Sequence, residues 1–218
     1  MKTKAVRIYG KEDLRLEEFE LPALKNGEIL IKVISDSVCM STYKTAKQGA
    51  KHIRVPDNVA ENPVIIGHEL CGEIVQVGKN HQDKFKPGMR FAQQPALNYK
   101  GTMWSPGYSY EFFGGAATYC IIPAEVMELG CLMEYKGKAF YESSLAEPMS
   151  CCIGAFHAGE GGLLAQIFTQ LTGSGTDGYD FGTGDIHDLC GRFCVKQTAE
   201  CHFIGASLPD KVEAWGVK

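Results

Sequence analysis

The run NPVIIGHELCGEIVQVGKN, residues 62–80, sets two ionisable neighbours, His68 and Glu69, inside an otherwise apolar stretch. Adjacent side chains on a strand point to opposite faces, so one of the pair would have to meet the core. A buried imidazole or carboxylate is costly unless a polar partner receives it. Gly67 and Gly72 fence the pair. The arrangement therefore asks for something polar in the interior, and a metal ion would answer.

Around this run the chain reads as short strands. KAVRIY alternates polar and apolar residues, DLRLEEFELP does so loosely, and GEILIKVISDSVC is rich in Ile and Val. VIIGHELCGEIVQVG reads as one long strand, with KPGMRFAQQPAL and ATYCIIP after it. Pro87-Gly88 marks a turn. STYKTAKQGA suits a short helix with Ser41 or Thr42 near its N-cap, and a second helix is expected to start about Pro148. Frequent Gly and Pro with little helix predict a mainly β fold with some α, barrel-like at the N-terminal end.

Composition removes several function classes. Net charge is −4 and Lys/Arg runs are lacking, which argues against a nucleic-acid partner. No stretch of 18 apolar residues suggests a membrane span, and the start carries no apolar signal core, so a cytoplasmic protein is expected. Nine cysteines in that setting read as thiols or metal ligands rather than disulfides.

Three separated stretches supply metal-ligand chemistry. SVCMSTYK carries Cys39, GHEL carries His68 and Glu69, and LAEPMS carries Glu147. Thiolate, imidazole and carboxylate are the ligand types of zinc. Taken singly, each has another reading. Cys39 can be a small buried hydrophobe, His68 a hydrogen-bonded core histidine, Glu69 a residue on a solvated face, and Glu147 an acid facing a helix dipole.

Together the motifs resemble the zinc signature of the medium-chain dehydrogenase/reductase family. Gly67, His68, Glu69, Gly72 and Gly78 keep its spacing, Cys39 and Ser41 match its first ligand and the hydroxyl residue after it, and Glu147-Pro148 matches its polyol-dehydrogenase branch. A departure is His81, where the family has a small or aliphatic residue. The resemblance covers about residues 1–158, and PGYSY, GGAATYCIIPAEVME and SLAEPMSCCIGAFHA bring it nearest to sorbose-phosphate reductases and sorbitol dehydrogenases.

The resemblance implies a GroES-like β-barrel catalytic domain over 1–158 and a Gly/Cys-containing tail of unclear structure over 159–218. It implies one catalytic zinc held by Cys39, His68, Glu69 and Glu147, with Glu69 binding directly or in exchange with water. Ser41 is the implied proton relay, its other reading being a helix cap. The implied reaction interconverts a polyol or sugar-alcohol phosphate and its ketone with NAD or NADP, the partners being small molecules and a second copy of the chain. For such a substrate basic residues are wanted near the pocket, but Lys44, Lys51 and Arg54 read as solvated surface charges. The four clustered cysteines of a structural zinc lobe are missing from the matching stretch, so no structural zinc is expected.

The tail breaks the pattern. The family's Rossmann domain would need ~100–150 residues, so it reads as absent or severely truncated. Gly173, Gly175 and Gly178 spell Gly-x-Gly-x-x-Gly, but a helix-like run precedes them, and no nicotinamide site is assigned there. His187, Cys190, Cys194, Cys201 and His202 lack recognised zinc spacing. His157 reads as a core or surface residue near the domain junction. The alternative function is thus a non-enzymatic zinc-binding remnant without a working nicotinamide site. A thiol redox or metal-storage role is a weaker third.

Overall fold

The computed structural model describes residues 1–95 and 97–150. His157, the Gly173–Gly178 motif and the His187–His202 cluster lie outside the described residues. The chain divides into two compact units, and every strand given below belongs to the first, which holds Met1–Ala146.

Strand β1 (Lys2–Gly10) turns at Lys11-Glu12 into β2 (Asp13–Glu20), with Val6 facing Leu16 across the pair. β3 (Ile29–Asp36) leads to helix α1 (Met40–Gln48). β4 (Val64–Ile65) and β5 (Leu70–Val77) follow, then β6 (Arg90–Gln93) and β7 (Tyr119–Ile122). The last described elements are α2 (Ala124–Glu128), β8 (Leu132–Glu134) and α3 (Phe140–Ser144). One sheet runs β2-β1-β4 and the other β7-β3-β5-β6-β8, with antiparallel pairing throughout.

Outside the run 64–78 the strand reading from sequence stands, and the mainly β, GroES-like class stands with it. β3 and β5 are hydrogen-bonded at the centre of the larger sheet, and Ile29, Ile31, Leu70, Ile74, Phe91 and Ile122 bury its inner face. Val6, Ile8, Val55, Val64 and Ile66 form a second core against β1. Each such side chain, fully withdrawn from water, contributes about 1.5–3 kcal/mol.

The single long strand expected over 64–78 is two strands. Val64-Ile65 pairs with β1 in the smaller sheet, whereas Leu70–Val77 pairs with β3 in the larger one. Residues 66–69 cross between them. The crossing turns at Gly67, whose φ is +89°, a left-handed conformation that glycine adopts without cost. A Cβ there would run into the Asp36 carboxylate and the Ala116 amide. The amide of Gly115 donates to the Gly67 carbonyl at 2.7 Å and that of Ala116 to the Ile66 carbonyl at 2.8 Å, which locks the crossing.

Candidate metal centre

This crossing corrects the opening argument about alternation. His68 and Glu69 do not point to opposite faces of a strand, because they are not in one. Both are buried, each 5% exposed. The backbone around them is held on two sides. The Glu69 amide donates to Asp36 Oδ1 at 3.0 Å, and Gln93 Nε2 donates to the His68 carbonyl at 2.7 Å. Asp36 ends β3 and Gln93 ends β6, so two strands of the larger sheet set the height of the pair.

Cys39 arrives from the other side. β3 ends at Asp36, Ser37 and Val38 continue it, and Cys39 is the N-cap of α1 with extended φ and ψ of −88° and 141°. The cap expected at Ser41 or Thr42 is therefore two or three residues earlier. Ser41 stands in the first turn of α1, and its hydroxyl faces inward. It donates to Cys39 Sγ at 2.9 Å and lies 3.3 Å from His68 Nε2.

Cys39, His68 and Glu69 each bring one ligand atom into a group whose members lie within 4.8 Å of one another. Three of the four expected ligands are thus brought together. The fourth, Glu147, lies in the helical stretch 146–150, at the head of the second unit. That stretch begins two residues before the predicted start at Pro148.

The electrostatics suit a cation. Burial pushes the Cys39 thiol up to about 12, and the nearby Glu69 carboxylate pushes the same way. Burial, with Arg54 adding to it, holds His68 down to about 4, so the imidazole is neutral. Its Nδ1 is buried and has no hydrogen-bond partner among the described residues. A buried polar atom left in that state calls for an explanation, and a bound ion is one. The donor set is one sulfur, one nitrogen and one oxygen type, which matches zinc. Ser37 Oγ donates to Glu69 Oε2, and the Ser37 amide donates to the Glu69 carbonyl at 3.3 Å. A carboxylate held this way has its orientation set by its neighbours.

Above the group sits Tyr108, from the PGYSY stretch. Its hydroxyl lies 3.4 Å from His68 Nε2, and the two rings are tilted with centroids 5.0 Å apart. His52 stacks on Tyr108 at 5.3 Å, and the Arg54 guanidinium lies 5.7 Å from the Tyr108 ring centroid. Sequence reasoning did not single out Ser37, Asp36, Gln93, His52 or Tyr108. Only the topology that brings these loops together reveals them. The four described cysteines, Cys39, Cys71, Cys120 and Cys131, are free thiols, as the cysteine count suggested.

Residues 25–130 match the alcohol dehydrogenase GroES-like domain family. The chain is 53% identical over 156 residues to an L-sorbose 1-phosphate reductase of Klebsiella pneumoniae, covering 72% of this chain and 38% of that protein. It is 55% identical over 156 residues to a mannitol-1-phosphate 5-dehydrogenase of Aliivibrio fischeri, covering 72% and 37%. Among solved structures, 2R,3R-butanediol dehydrogenase from Bacillus subtilis superposes with a TM-score of 0.60 at 26% identity, covering 71% of this chain and 47% of that one. The chain therefore spans under two fifths of the length of these curated relatives. Fold, donor group and relatives agree that this chain carries the GroES-like domain of the alcohol dehydrogenase family.

Proposed function

We propose that residues 1–158 form the catalytic domain of a cytoplasmic, zinc-dependent oxidoreductase that interconverts a polyol or its phosphate and the corresponding ketone with NAD(P)(H). The observation that carries this reading is the convergence of Cys39, His68 and Glu69 inside a GroES-like domain. The names of the relatives, a sorbose 1-phosphate reductase and a mannitol-1-phosphate dehydrogenase, support the substrate class. Zinc would be held by Cys39, His68 and Glu69, with Glu147 as the expected further ligand; bound there, it supplies Lewis-acid polarisation of the substrate oxygen.

The chain's own groups supply the rest. Ser41, half-buried between the thiol and the imidazole, is placed to take the substrate hydroxyl proton and pass it outward. Tyr108 covers one side of His68 and keeps water off it. Ser37 and Asp36 hold Glu69 from behind.

The test is metal analysis of the purified chain beside a hydride-transfer assay. Wild type should retain a single zinc and oxidise NADH or NADPH with a ketose phosphate. Cys39→Ser and His68→Ala should lose the zinc and the activity together. Zinc retained in both variants would overturn the reading. A second reading is a zinc-binding domain that holds the metal and takes no nicotinamide. Calorimetric titration with NADH and NADPH separates the two: saturable micromolar binding supports the enzyme, and no heat at millimolar cofactor supports the remnant.

A further inference from the structure

Two basic side chains lie against the Tyr108 ring. His52 stacks on the Tyr108 ring, nearly parallel to it at 14°. Arg54 carries its guanidinium over the same ring. Burial, and after it the charges of Arg54 and Lys44, hold the His52 imidazole below its usual pKa. Among the described residues no carboxylate lies within 4.0 Å of Arg54, Lys44 or His52. The backbone that carries them is fixed: the Arg54 amide donates to His52 Nδ1 at 3.2 Å, and Ser109 Oγ donates to the Arg54 carbonyl at 2.7 Å. The guanidinium itself makes one long bond, Nη1 to the Met103 carbonyl at 3.4 Å.

We propose that Arg54, with His52, forms an anion subsite that takes the phosphate of a phosphorylated polyol whose reacting end lies at Cys39, His68 and Glu69. The inference rests on the reading of the chain as a polyol-phosphate oxidoreductase and adds the residues that choose the phosphate. Arg54 is half-buried rather than the free surface charge its sequence context suggested, and it has donors to spare. A guanidinium binds phosphate through paired N–H donors in a fixed plane. Tyr108 holds Arg54 from beneath by the attraction of a cation to a ring face. Tyr108 is the shared neighbour of the two groups, its ring centroid 5.0 Å from that of His68 and 5.7 Å from the Arg54 guanidinium. Lys44 and Lys51, the other basic residues of this stretch, stand exposed and take no part.

The experiment titrates the zinc-loaded full chain with D-mannitol 1-phosphate and with D-mannitol by calorimetry. The readout is the ratio of the two dissociation constants. Wild type should favour the phosphate by about tenfold or more, the discrimination expected of a charged hydrogen-bonded pair. Arg54→Gln should bring the ratio near unity, and Arg54→Lys should keep part of it. Lys79→Gln, which removes an equal charge from an exposed site, should leave it unchanged. Circular dichroism of each variant checks the fold. A wild-type ratio near unity, or an Arg54→Gln ratio equal to that of wild type, overturns the subsite. Zinc content is measured on the same samples. A chain that binds zinc without preferring the phosphate sinks the subsite alone. A chain that prefers the phosphate without binding zinc sinks the functional reading and leaves the subsite standing.

Discussion

Glu69 lies in no strand and is presented by its neighbours. Ser37 donates to its carboxylate, and the fully buried Asp36 accepts from its amide. In Ser37→Ala the buried carboxylate loses a hydroxyl donor, and the metal-free chain should be destabilised by about 1–3 kcal/mol. Urea unfolding of the chelated protein measures this, and an unmoved midpoint would show that other groups already serve Glu69. At this scale the sequence was half legible. Cys39, His68 and Glu69 stand in motifs whose chemistry can be named. Ser37 and Asp36 carry no such mark, because nothing in a Ser-Asp-Ser stretch says that a carboxylate 32 or more residues later will come to rest on it. Arg54 reads from sequence as a solvated charge, and only the fold sets it half-buried over the Tyr108 ring.

At the scale of elements, the crossing over 66–69 is the feature that the apolar pattern hides. Residues 63–72 are all buried, so burial runs on unbroken while the strand does not. The one local signal is Gly67. Gly67→Ala would force a side chain into a left-handed conformation and against Asp36, with an expected loss of about 1–3 kcal/mol from backbone strain alone. Thermal unfolding checks it; a variant as stable as wild type would mean that the crossing can re-form without its turn. The longer strands were readable because period-two alternation and β-branched residues agree in them. The short elements α2, β8 and α3 span five, three and five residues, too few for a periodic pattern to register. Helix α1 was readable in extent but not at its cap, since Cys39 makes no side-chain capping bond.

For the whole molecule, the described strands form a GroES-like arrangement, and no helix among the described residues is long and apolar enough to cross a membrane. The crossing at Gly67 is also the shortest of the covalent links between the two sheets, and the three donor residues sit on or beside it. Cys39 belongs to the segment leaving β3, while His68 and Glu69 belong to the segment entering β5. An ion gripped by all three would therefore act as a rivet through the seam rather than as cargo carried by one element. Ligand linkage then gives the molecule a metal-dependent melting curve: each tenfold rise of free zinc above the dissociation constant should add about 1.4 kcal/mol to the stability of the folded state. Scanning calorimetry across a buffered zinc series should show a single transition that climbs with zinc activity. A chelator should lower that transition in wild type and leave Cys39→Ser where it was. By that arithmetic, the zinc supply of the cell would set how much of this protein is folded as well as how much of it is active.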